Sequence, residues 1–185
     1  MRLFVALVPP AEAVDELWGA TERLRGQARP GLRWTRPEQW HLTLAFLAEV
    51  DDPTRADLCT RLERVAARAA PLSLELGAGG RFGDRVLWAR VRGDTDRLRK
   101  LAASVRAAAR RVKLPVEDRP YRPHLTLARA NGTADLRPAV TGLANFEGSP
   151  WTASELHLVR SRLAAGPGRT SLYDSVERWP LSAER

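Results

Sequence analysis

Cysteine is nearly absent from this chain, and Cys59 stands alone. A single cysteine excludes an intrachain disulfide and fits a cytoplasmic protein. No His or Asn accompanies it in a thiol-enzyme pattern, so Cys59 reads as a helix-face residue. Lysine is almost missing too, at Lys100 and Lys113 only, so the formal charge of +8 is carried by arginine. A field of that sign attracts phosphate-rich partners. The arginine fork also suits phosphate better than an ammonium group does. No apolar run is long enough to span a bilayer, so no membrane partner is expected. The apolar stretch Leu3-Phe4-Val5-Ala6-Leu7-Val8 stops at Pro9-Pro10 with no cleavage site after it. It reads as a first strand, not as a signal peptide. The Gly77–Gly83 region lacks the lysine and the strand–loop–helix setting of a nucleotide P-loop.

Histidine is scarce as well, with three in 185 residues, and two of them open the same pentapeptide. The copies are His41-Leu42-Thr43-Leu44-Ala45 and His124-Leu125-Thr126-Leu127-Ala128. Alternation in a strand sends His and Thr to one face and both leucines to the other. Two such strands would show two imidazoles and two hydroxyls to one cleft. The copies lie 83 residues apart (124 − 41), close to half the chain, as an internal pseudo-twofold would require.

The rest of the pattern predicts strands at 2–8, 32–35, 41–47, 72–76, 86–91, 124 onward, 155–163 and 172–179. Helices are predicted from Pro10 to Arg25, from an Asp52 N-cap to before Pro71, and from an Asp94 cap onward. Gly77–Gly83 reads as a glycine-rich turn, and 131–150 as a long loop.

A histidine pair without a carboxylate or cysteine cluster suits metal-free transfer at phosphorus or at a carbonyl. One imidazole takes a proton and the other gives one. The threonines and an arginine would hold the non-bridging oxygens. A strained cyclic phosphate is an apt substrate, because its ring oxygen leaves readily once protonated. His157, between Leu156 and Leu158 with no Thr two residues on, reads as structural or surface.

The two His-Leu-Thr-Leu segments resemble the paired His-x-Thr-x motifs of the 2H phosphoesterase superfamily. The wider contexts Arg2-Leu3-Phe4-Val5-Ala6, Trp40 to Leu47, Arg122 to Arg129 and Val159 to Leu163 resemble the RNA 2′,3′-cyclic phosphodiesterases, also called the 2′-5′ RNA ligase family. The resemblance implies a bilobal α+β fold over 1–185, a single domain of two intertwined lobes. Two antiparallel sheets would face a central cleft, with helices outside and a pseudo-twofold relating the halves. It implies hydrolysis of RNA 2′,3′-cyclic phosphate ends to 2′-phosphates, with no metal and no cofactor. His41 would be the proton donor and His124 the proton acceptor, with Thr43, Thr126 and Arg129 on the phosphate. Phe4 and Tyr121 are candidates for base stacking. Strict alternation puts Arg129 on the face opposite His124, so its role needs the strand to end or bulge first. Ala48 stands where the family commonly has Gly, which should alter a turn and not the chemistry. The expected partner is cyclic-phosphate-ended RNA, tRNA fragments included, met by a cytoplasmic monomer. The alternatives are 2′-5′ ligation, hydrolysis of cyclic nucleotides or 2′-5′ oligonucleotides, and a non-catalytic RNA-binding module. A zinc hydrolase fits least, since no Cys, Asp or Glu ligands accompany the histidines.

Overall fold

Leucine-rich alternation builds two antiparallel sheets in the computed structural model, which describes residues 1–184. The first sheet has the order β3-β1-β8-β9, with β1 at Arg2–Leu7, β3 at Leu42–Glu49, β8 at Glu155–Arg162 and β9 at Leu172–Pro180. The second has the order β2-β6-β5-β4-β7, with β2 at Leu32–Trp34, β4 at Leu72–Phe82, β5 at Val86–Gly93, β6 at His124–Ala130 and β7 at Trp151–Ala153. The helices are α1 (Ala11–Arg25), α2 (Asp52–Ala67), α3 (Thr95–Arg111) and α4 (Arg137–Gly142).

The halves are interleaved. α1 follows β1 of the first sheet yet packs on β4 of the second, while α3 follows β5 of the second yet packs on β3 of the first. One apolar cluster joins both sheets, with Leu3, Val5, Leu42, Leu44, Leu87, Leu125 and Leu127 in it. Each such leucine, fully removed from water, contributes about 2 kcal/mol. The motif leucines thereby fix which face of each strand is left for chemistry.

Three expectations are corrected. α2 is capped by Asp51, whose carboxylate accepts from the Thr54 N–H at 2.8 Å; Asp52 is already helical. Gly77–Gly83 is mostly strand: β4 runs to Phe82, with a bulge between Leu76 and Gly79, and only Gly83-Asp84-Arg85 turns. Glycine serves close approach there, because a Cβ on Gly80 would overlap the Trp88 ring. Finally, the 131–150 segment carries the short helix α4, which has Pro138 in its first turn. Asp94 is the N-cap residue of α3 as expected, but its carboxylate accepts from the Ser73 N–H and the Arg97 side chain and not from an N–H of the helix.

Candidate active site

β3 and β6 place their motifs on facing walls of a cavity of about 550 Å³. His41, Thr43, His124, Thr126, Arg129 and Tyr121 all line it. Each histidine is tethered the same way. Nδ1 of His41 lies 2.7 Å from the Gln39 carbonyl, and Nδ1 of His124 lies 2.7 Å from the Arg122 carbonyl. A carbonyl only accepts, so Nδ1 carries the proton in both rings. In the neutral form that leaves Nε2 with a free lone pair.

Arg129 reaches this face because β6 bulges. Leu87 pairs with Ala128 and Trp88 with Thr126, so Leu127 has no partner of its own. Leu127 and Ala128 are both buried, and Arg129 returns to the side of His124. β3 has the same irregularity at the same motif position. Val5 pairs with Ala45 and Ala6 with Thr43, leaving Leu44 unpaired and turning Phe46 toward the cavity.

Both bulge carbonyls are satisfied from outside their sheet ladders. Leu127 O accepts from Thr35 N–H at 2.9 Å and from Thr35 Oγ1 at 2.8 Å, and Thr35 in turn accepts from Trp40 Nε1 at 2.9 Å. Leu44 O accepts from Arg106 Nε at 3.4 Å. Arg106 also donates to Arg119 O at 2.7 Å, which ties the 115–123 connection to the cleft wall. A carbonyl left unpaired at either bulge would cost about 1–3 kcal/mol.

Burial lowers the basicity of both histidines, with Arg129 as a further cause. His41 is pushed down to about 4, and His124 is lowered too. His41 is enclosed by aromatic rings: Phe4 at 4.6 Å and Tyr173 edge-on at 5.3 Å between centroids. Phe82 lies edge-on to His124 at 4.9 Å.

Phe4 is corrected as a stacking candidate. It is 3% exposed, and its ring is spent on His41 and Tyr173, so no face is left for a base. Tyr121 does line the cavity, with its hydroxyl buried and unpartnered and its ionisation pushed up by burial. Sequence reasoning missed Phe46, which is 57% exposed, together with Tyr173 and Phe82. Phe46 had a signal: Leu44-Ala45-Phe46-Leu47 is an unbroken apolar run in a strand with one buried face. His157 is outside the cavity lining, with Nδ1 2.9 Å from Ser175 Oγ. Among the described residues, no group of three or more His, Cys, Asp or Glu side chains could hold a metal ion.

Paired His-x-Thr strands facing across one cleft define a class, and the relatives of this chain agree with it. Residues 13–164 match the model of the 2'-5' RNA ligase superfamily, and the chain belongs to that family. An Escherichia coli RNA 2',3'-cyclic phosphodiesterase is 32% identical, over 98% of this chain and 97% of its own length. A Geobacillus stearothermophilus protein of the same name is 30% identical over 96% of this chain, which spans only 56% of that longer relative. A crystal structure of a Thermus thermophilus protein superposes with a TM-score of 0.81 at 29% identity, covering all of both chains.

Proposed function

We propose that this protein hydrolyses RNA 2′,3′-cyclic phosphate ends to 2′-phosphates by a two-histidine acid–base mechanism. One observation carries the reading. Two imidazoles, each with Nδ1 held by a carbonyl, face one cavity with a Thr two residues on and Arg129 close enough to act on both. The names of the relatives support the substrate class.

In this reading Thr43, Thr126 and Arg129 hold the non-bridging oxygens. His124 Nε2 takes a proton from water, and the water oxygen bonds to phosphorus. The bond from phosphorus to O3′ breaks, and His41 gives its Nε2 proton to O3′. The product carries a 3′-hydroxyl and a 2′-phosphate. His41 is neutral in the free protein near pH 7, since its pKa is about 4. The bound phosphate anion opposes Arg129 and raises that value, so substrate recruits the catalytic proton. Tyr121 borders the space left for the terminal nucleoside. We take the natural partner to be RNA, tRNA fragments included, met by a monomer in the cytoplasm. No helix among the described residues is long and apolar enough to cross a membrane. We further propose that residues 1–185 act as one domain.

The test is incubation in EDTA with a short RNA ending in a 2′,3′-cyclic phosphate. A 2′-phosphate product is expected. A 3′-phosphate product would reverse the leaving oxygen, and activity lost to EDTA would overturn the mechanism. Tight binding without turnover would favour a binding module instead.

A further inference from the structure

A second concave surface lies between α2 and α3. This groove, of about 840 Å³, is larger than the cleft. Its floor is apolar, with Val65, Ala69, Leu72 and Leu101, and its rim is cationic. Two of the rim arginines are already paired, Arg61 with Asp57 at 3.0 Å and Arg97 with Asp94 at 3.1 Å. Arg64, Arg68, Lys100 and Arg111 also line it and have no carboxylate partner among the described residues. The one acidic side chain in the lining is Glu184.

That arrangement leaves cations facing solvent with no counter-charge beside them. Arg64 and Arg68 are four apart at the end of α2, so like charges stack on one helical face. Lys100 and Arg111 lie three turns apart on the facing side of α3. A polyanion seated between the helices would meet positive charge from both of them. Elsewhere on α3 the cations are engaged: Arg99 pairs with Asp96, Arg110 with Asp118, and Arg106 is built into the cleft wall. On α2 and α3, the cations with no hydrogen-bonded or carboxylate partner among the described residues are therefore the four in the groove. α3 separates groove from cleft by one helix width, about 10–12 Å. The large exposed apolar side chains among the described residues (Met1, Val8, Phe46 and Leu163) all lie outside the groove lining, which argues against a membrane occupant.

We propose that the α2–α3 groove is a second binding surface for the RNA backbone. It takes phosphates of the substrate strand a few nucleotides upstream of the end held in the cleft. The proposal rests on the RNA reading above, and its test does not depend on turnover. The ligands are a labelled RNA of about a dozen nucleotides ending in a 2′-phosphate and a mononucleoside 2′-phosphate, titrated over a salt series. The variant is Arg64→Gln/Arg68→Gln/Lys100→Gln/Arg111→Gln. A control of equal charge, Arg2→Gln/Arg23→Gln/Arg137→Gln/Arg178→Gln, uses residues outside both linings.

The groove variant should weaken the longer RNA about tenfold and flatten its log–log salt slope by about 2–3, at roughly 0.7 per phosphate contact on a single strand. Mononucleotide affinity should stay at the wild-type value. Unchanged affinity for the longer RNA would overturn the proposal. So would an equal loss in the control, which would reduce the effect to net charge. Tighter groove-dependent binding of polyglutamate or of phosphatidylserine vesicles than of RNA would overturn it as well. Loss of wild-type turnover on cyclic ends, with groove-dependent RNA binding intact, would sink only the catalytic reading.

Discussion

The two copies of His-Leu-Thr-Leu-Ala are a controlled comparison inside one molecule. Both strands bulge at the second leucine, and both histidines give Nδ1 to the carbonyl two residues back. The residue that each bulge turns into the cavity differs. In β3 it is Phe46, and in β6 it is Arg129. The duplicated part fixes geometry, and the divergent part fixes the environment of each wall. Both histidines have aromatic neighbours, Phe4 and Tyr173 beside His41 and Phe82 and Trp88 beside His124, and the β3 bulge adds the Phe46 ring. The β6 bulge adds a cation instead, Arg129. A symmetric scaffold thus makes two chemically unlike imidazoles, as a reaction needing one acid and one base requires.

The largest effects test the shared half of the comparison. His41→Ala and His124→Ala should each lower kcat on a cyclic-phosphate RNA by about 10²–10⁴-fold, the usual contribution of a positioned acid or base. RNA affinity should hardly change. Full turnover in either variant would end the two-histidine mechanism. The unlike positions should then respond unequally. Arg129→Met should cost about 10²–10³ in kcat, as when one charge-stabilising donor is removed. Phe46→Ala should act mainly on KM, because its 57% exposed ring offers surface and no charge. Equal kcat losses at the two positions would show that the bulge partners do not differ in role.

The strands, the paired histidines and the threonines were legible because a period of two survives any context that buries the leucines. The bulges were not. Nothing in Leu-Ala distinguishes a regular strand from one with an unpaired residue, so Arg129 could be placed only conditionally. The supports that make the bulges tolerable, Thr35 and Arg106, are 92 and 62 residues away in sequence from the carbonyls they bind. The glycines of β4 misled for another reason. Glycine signals a turn and close packing with the same letter, and Gly80 is there for the Trp88 ring. α4 is too short at six residues to show a helical period.

The pH response separates the histidines on stability. The folded protein holds His41 near 4 against an ordinary 6.5, so below 6.5 the unfolded chain binds the extra proton. The stabilisation is complete above pH 6.5 and is lost as pH falls toward 4. Each tenfold difference in proton affinity is worth about 1.4 kcal/mol, so the whole interval amounts to about 3 kcal/mol. Urea unfolding at pH 7 and at pH 4 should show His41→Gln losing less stability than wild type on acidification. His124→Gln should fall between the two, since its basicity is also lowered by burial and by Arg129. An identical loss in wild type and His41→Gln would mean that the ring is already charged in the fold.

The smallest effect tests where the two strands stop matching. Ala48 ends the apolar run of β3 at φ 58°, beside a second register shift between Leu3 and Phe4. On the β6 side the left-handed residue is Gly132, at φ 90°. An L side chain in that region costs about 1 kcal/mol, which glycine does not bear. Ala48 is exposed, so its methyl group contributes little packing to offset the strain. Ala48→Gly should therefore stabilise the fold by up to about 1 kcal/mol, less the entropy that glycine loses on folding. The urea midpoint should rise with an unchanged slope, and kcat should stay at the wild-type value. A lower midpoint would mean that the methyl group packs in solution. A changed kcat would mean that the strain at Ala48 reaches His41 through β3.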